Sequence, residues 1–248
     1  MRLKVIACEV LFREICLCAA YSSNIISTEF MKRGLHDEPD VLRSELQNRI
    51  DNTEEKIYEG ILLGYALCSN SLAGLRARGI PLVVPRAHDC ITLFLGSKEN
   101  YNKHFTDEPG TYYYTHGWLE RAGTKIERKT HDDRALAKKY EQYVEKYGED
   151  NAKYLMEFER SWIDNYSRAA FINLDFVDFG HYKESVKEIA AEKGWRYEEL
   201  PGDMRLIRKL IDGHWDRDEF LVVQPGEEII PSYDNEIMKC RPAMVRSS

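Results

Sequence analysis

The sequence predicts an α/β protein: a three-layer, Rossmann-like, mostly parallel sheet with a helical hairpin inserted into it. Three observations carry the prediction. Short apolar runs of strand type alternate with helix-type stretches along most of the chain. Three of those runs, at residues 3–7, 60–67 and 82–85, each lead to a cysteine near the strand end: Cys8, Cys68 and Cys90. Between residues 132 and 164 the alternation gives way to a charge-rich helical pattern, after which strand and helix patterns resume.

Residues 3–7, LKVIA, are a β-prone run suited to a first strand. Residues 9–20 are apolar all round except for Arg13 and Glu14. A helix there turns these two charges toward a site or a partner, or pairs them at its edge. Residues 24–30, NIISTEF, give a second short strand. A helix is expected from His36 to Asn52, with Pro39 suited to its first turn and Leu42, Leu46 and Ile50 four apart on one face. Strand character returns at 56–67, where Gly60 and Gly64 suggest close backbone approach. Residues 68–71, CSNS, form a polar turn able to cap a helix beginning near Leu72. Residues 82–85 then read as a buried strand and 91–95 as the start of a buried helix. Tyr101 and Phe105 lie four apart in 97–105, and Pro109-Gly110 makes a turn.

Residues 111–120, TYYYTHGWLE, read as a strand with half-buried tyrosines followed by a turn. The functional alternative makes Tyr113 and His116 part of an aromatic, hydrogen-bonding pocket wall. In the helical stretch, Leu136, Tyr140, Tyr143 and Tyr147 share one side, and Gly148 breaks the helix. Tyr154, Leu155, Phe158 and Trp162 mark the apolar face of the second half. A strand at 169–176 follows, then a helix at 182–193 ending at Gly194. A strand at 195–200, a helix at 204–211 capped by Asp203 and a last strand at 220–223 complete the pattern. The tail from Tyr233 is expected to be loosely structured. The chain thus divides into an N-terminal α/β portion (1–130) carrying the three-cysteine site, a helical insertion (131–165) and a C-terminal α/β portion (166–248).

Composition excludes several functions. With 35 basic against 42 acidic residues the net charge is −7, which argues against a general nucleic-acid binder, since phosphate needs a basic face. No apolar run approaches the ~18–20 residues needed to cross a bilayer. Arg13 and Glu14 interrupt the only stretch resembling a leader. A cytoplasmic location is therefore expected, and six cysteines there are thiols or metal ligands rather than disulfides. Neither G-x-G-x-x-G nor G-x-x-x-x-G-K-[ST] occurs, so no nucleotide cofactor is indicated. G-x-S-x-G and H-E-x-x-H are also missing.

Cys8, Cys68 and Cys90 are too far apart in sequence for a compact zinc motif. In a parallel sheet, however, strand ends meet along one edge, where ligands bind. Three thiolates there would favour zinc, copper(I) or an iron–sulfur cluster and leave one coordination position open. The leading expectation is a [4Fe-4S] cluster whose open iron is a Lewis acid for a lyase or desulfidase acting on a small anionic substrate. Lyases of the aconitase type use such an iron, and quinolinate synthase offers an analogy of layout. Zinc, serving methyl transfer to a thiol, is the alternative metal, and ordinary buried thiols are the competing structural explanation. His88 and Asp89 are the acid–base candidates, against a packed histidine and a capping aspartate. Arg86 and Arg13 are candidates for binding a substrate carboxylate, with Asn70, Tyr113 and His116 as further substrate contacts. Cys16 and Cys18 read as core, and Cys240 as incidental.

The segments ACEVLFRE, GYALCSN, PRAHDCITLFLGS and PGTYYYTHGW, with LPGDMRLIRKLIDGHWDRDEFLVVQPGEEI late in the chain, resemble domain-of-unknown-function family 1638. Its members are proteins of methanogenic archaea and anaerobic bacteria. The resemblance covers nearly the whole chain. It implies an anaerobic setting, compatible with an oxygen-sensitive cluster, and an association with corrinoid-dependent methyl metabolism. A corrinoid methyltransferase system is accordingly the partner it suggests, and a non-catalytic accessory protein of that system is the alternative from another class. The family supplies no catalytic roles; those above come from residue chemistry.

Overall fold

Four of the apolar runs form parallel strands of one sheet: β1 (Arg2–Cys8), β2 (Ile25–Met31), β3 (Gly60–Gly64) and β4 (Leu82–Pro85). In this computed structural model, residues 1–121, 131–160 and 165–243 are described. After β1 a 3-10 turn, Glu9–Leu11, leads into α1 (Phe12–Tyr21). Helix α2 (Pro39–Asp51) starts at the expected proline. It buries Leu42, Leu46 and Ile50 to 2% exposure or less, each worth roughly 1.5–3 kcal/mol. Short helices α3 (Cys90–Leu95) and α4 (Lys98–Asp107) follow β4.

The chain divides into two compact units, Met1–Asn102 with Gly202–Ser248, and Lys103–Pro201. It leaves the first unit within α4 and returns to it a hundred residues later, so the last strands belong with the first ones. On return it forms α9 (Arg205–Asp212), β8 (Phe220–Val223), β9 (Glu227–Pro231) and β10 (Met238–Pro242). The sheet order is β2-β1-β3-β4-β8, with β8 antiparallel at the edge beside β4.

Strand alternation sorts the two faces of this sheet. Ile6, Ile61, Leu63, Leu82 and Val84 pack with α2 and with Ile229 and Met238 of the β9–β10 pair. On the opposite face α1 packs on α9, and Ile15 approaches Gly64 so closely that an added Cβ would lie 3.0 Å from its Cδ1 and 2.5 Å from the Ala7 Cβ. Gly64 is thus required by close approach of β3 to β1 and α1, as the sequence suggested.

The second unit holds a parallel three-stranded sheet in the order β5-β6-β7: β5 (Thr111–Thr115), β6 (Arg168–Asn173) and β7 (Arg196–Pro201). Helix α5 (His116–Glu120) continues from β5, where only a turn was expected. Helix α8 (Gly180–Lys193) ends at Gly194 in the left-handed conformation and packs on β6 and β7. Tyr114, Phe171, Phe179, Val186 and Ile189 form the core. Between α5 and β6 run two consecutive helices, α6 (His131–Tyr147) and α7 (Glu149–Arg160), which contact each other across Gly148. Trp162 lies outside the described residues, as do the side chains of Leu136 and Phe158.

Two local expectations are corrected. No helix begins near Leu72: residues 68–74 form successive turns, because Cys68, Ser69, Asn70 and Gly74 all adopt positive φ. The tail from Tyr233 is not loose, since residues 238–242 pair with β9. No helix among the described residues is long and apolar enough to cross a membrane.

Candidate functional site

In the first unit the strand order reverses between β1 and β3, with β2 on one side and β4 on the other. Such a reversal opens a crevice at the carboxyl ends of the strands, and all three cysteines sit there. Cys8 is the last residue of β1. Beyond β3 and β4 the two chains stay paired: the Leu67 and Cys68 amides donate to Ala87 and His88 carbonyls, each at 2.9 Å. This carries Cys68 alongside His88. Cys90 opens α3, directly after Asp89, whose Oδ1 caps the helix by accepting from the Ile91 and Thr92 amides at 3.0 and 3.4 Å. Its Oδ2 accepts from the Tyr101 hydroxyl at 3.1 Å.

Cys68, Ser69 and Asn70 are three consecutive left-handed residues, with φ of 43°, 55° and 64°. For residues with a Cβ each costs roughly 1–2 kcal/mol. The turn is held by the Cys68 carbonyl, which accepts from the Ser71 amide at 3.0 Å and the Ser71 hydroxyl at 2.6 Å. Strain of this kind concentrates at functional positions.

The three thiols are half-buried and act on one another electrostatically. Burial pushes the Cys8 thiol up to about 11, with the Glu9 charge adding and the Val10 amide opposing. Burial pushes Cys68 up to about 12, and the charges of Asp89 and Cys8 add to it. Cys90 is raised well above the ordinary thiol range, first by burial and then by Asp89, Cys68 and Cys8. Burial likewise raises the Asp89 carboxyl. The convergence expected of the three strand ends is therefore present. Yet among the described residues no group of three or more His, Cys, Asp or Glu side chains could hold a metal ion as they stand.

Beside the thiols lies Tyr65, which sequence reading absorbed into an apolar run. It is 5% exposed, and the charges of Cys8 and Cys68 both reach its hydroxyl. An adjoining cleft of about 810 Å³ is walled by Asn70, His88, Thr92, Lys98 and Tyr101 on one side and by residues 231–237 on the other. His88 is exposed there, while Thr92 is 1% exposed with no partner for its hydroxyl among the described residues. Ile237, a β-branched residue at φ 67°, completes the far wall. The only hint of Tyr65 and Thr92 in the sequence is a hydroxyl inside an otherwise apolar run.

The remaining candidates stand elsewhere. Arg86 is 8% exposed, and its guanidinium donates to the carbonyls of Arg217 (2.9 Å), Phe220 (3.3 Å), Glu236 (2.8 Å) and Met238. It braces β4 to the returning chain. Arg13 is exposed on α1, next to the buried Glu14. Tyr113 and His116 belong to the second unit, where His116 is fully buried and stacks on Phe179 with ring centroids 3.8 Å apart. The cation on the cleft wall is Lys98, whose Nζ donates to the Asp218 and Asn235 carbonyls at 3.0 and 3.3 Å.

Residues 30–211 match the family described as a protein of unknown function (DUF1638). The chain belongs to this family. The matched span includes Tyr65, Cys68, Asp89 and Cys90 and leaves Cys8 before it. No curated protein matches the DUF1638 chain, and no solved structure matches it either.

Proposed function

We propose that this DUF1638 protein is a metal-dependent enzyme built on a Rossmann-like core, with Cys8, Cys68 and Cys90 as thiolate ligands of a [4Fe-4S] cluster. The observation that carries the reading is that three successive parallel strands deliver three thiols to one crevice, where each raises the pKa of another. Buried thiols cannot all ionise without a compensating cation, and a bound metal deprotonates them outright. Soft thiolates select zinc or iron–sulfur centres. Thiols that feel one another without closing around a single ion suit a cubane better than zinc, which holds its sulfurs about 3.8 Å apart at tetrahedral Zn–S bond lengths. Three protein ligands leave one iron open, and when bound the cluster supplies a Lewis acid to a small anionic substrate in lyase or desulfidase chemistry.

The residues around the crevice support that reading. His88, exposed on the cleft wall, is placed to move a proton. Asp89 locks the turn between His88 and Cys90 through three hydrogen bonds. Lys98 is held by neutral carbonyls, so its positive charge stays at the wall to attract an anion. The test is anaerobic purification followed by an absorption spectrum and iron, sulfide and zinc analysis. A brown protein absorbing near ~400 nm with about four irons per chain is expected. Cys68→Ala should lose the iron while Cys240→Ala keeps it; unchanged metal content in Cys68→Ala sinks the proposal.

A further inference from the structure

Tyr65 is hard to explain as a packing residue. It is 5% exposed, and its hydroxyl has no hydrogen-bond partner among the described residues. Burying an unsatisfied hydroxyl costs roughly 1–3 kcal/mol, whereas phenylalanine would fill the same space without that cost. Its location follows from strand register. Ala7 pairs with Gly64 at the end of the β1–β3 ladder, so one step further Cys8 and Tyr65 come side by side. Both then project from the α2 face of the sheet, in the same apolar cluster. The hydroxyl is thus enclosed by apolar side chains on the sheet side and faces the crevice that holds the three thiols.

We propose that Tyr65 donates its hydroxyl hydrogen bond to the group bound among Cys8, Cys68 and Cys90. This rests on the three-thiolate reading and deepens it. Metal-bound sulfur is an acceptor that this buried donor otherwise lacks, and a hydrogen bond to charged sulfur favours the more reduced centre. Tyr65 is a positioning and tuning group in this scheme, one that touches the centre and stabilises its charge.

Tyr65→Phe separates the possibilities. Purified without metal, the variant should melt at the same temperature as the parent chain or higher, because an unsatisfied hydroxyl has been removed. After anaerobic loading with ferrous iron and sulfide, or with zinc, the rise in melting temperature should be smaller than in the parent. The iron–sulfur form should also show a more negative reduction potential. If the metal-free variant is less stable, the hydroxyl already has an internal partner and the proposal is overturned. If parent and variant load and titrate identically, the proposal is overturned while the three-thiolate centre stands. If the parent chain takes up neither iron–sulfur nor zinc, the centre itself fails and the proposal with it.

Discussion

Both units of this protein are built on parallel strands, and both place polar residues just past the strand ends, but they treat them in opposite ways. In the second unit those residues are satisfied locally. Thr115 caps α5 by accepting from the Trp118 amide at 3.2 Å, and Asn173 donates to Asp175 and Glu199, each at 2.8 Å. In the first unit the strand ends carry three mutually raised thiols, a tyrosine and a threonine whose hydroxyls are unmatched among the described residues, and a strained left-handed turn. Polar residues at a carboxyl edge are common to both. Unused bonding capacity, held in place at the cost of strain, distinguishes the candidate site.

The largest consequence concerns pH. All six cysteines lie outside residues 103–201. In the folded, metal-free chain Cys8 and Cys68 keep their protons up to about 11 and 12, from an ordinary value of 9.0. Folded-state pKa values above the unfolded ones contribute stability that is complete below pH 9 and is lost as pH rises through 9 to 12. The two groups together put that loss on the order of 5 kcal/mol, reduced by the partial exposure of the thiols. Hydrogen exchange should show the first unit loosening over this range, and Cys8→Ala with Cys68→Ala should flatten the dependence. Metal loading must displace the same protons, so it should strengthen with rising pH and weaken as pH falls. An alkaline transition that begins in the second unit would break the contrast.

A smaller effect separates the two histidines that follow parallel strands. His116→Ala removes a fully buried ring stacked on Phe179 and should cost about 3 kcal/mol in urea unfolding. His88 is exposed on the cleft wall, and His88→Ala should change stability by no more than about 0.5 kcal/mol. Equal costs for the two variants would make His88 a packing residue and remove it from the proposed chemistry.

How much of this was legible in the sequence follows the same division. Apolar runs of four to seven residues located β1, β3 and β4, and the cysteines after them were visible because a thiol at a strand end stands out from its neighbours. Charge-poor periodicity also placed Leu42, Leu46 and Ile50 on the buried face of α2. The antiparallel direction of β8 was hidden, because a run such as FLVV has the same appearance in either direction. So were β9 and β10, whose Glu227, Glu228, Lys239 and Arg241 gave them the look of a solvated tail; Arg76 and Arg241 pair with the buried Glu228 and neutralise it there. The left-handed turn at 68–70 had only Asn70 as a cue, and capping residues before Leu72 pointed to a helix that the backbone signs forbid. Arg86 had the look of an anion-binding group because its four carbonyl partners come from residues 217–238, far along the chain.

The finest form of the comparison uses one substitution in two places. Thr92 and Thr115 are 1% and 2% exposed, each beside a short helix following a parallel strand. Thr115 is engaged as a helix cap, so Thr115→Val should cost about 1 kcal/mol through an orphaned Trp118 amide. Thr92 lies within its helix, and its hydroxyl finds no acceptor or donor among the described residues while lining the cleft. Thr92→Val removes that unmatched group at nearly constant shape, so the metal-free protein should be unchanged or slightly more stable. Urea unfolding of the two variants side by side decides the matter. Opposite signs mean that the first unit keeps a hydroxyl for something outside the protein. A destabilised Thr92→Val means that its hydroxyl is structural, and the strand ends of the two units then differ in their cysteines and Tyr65 alone.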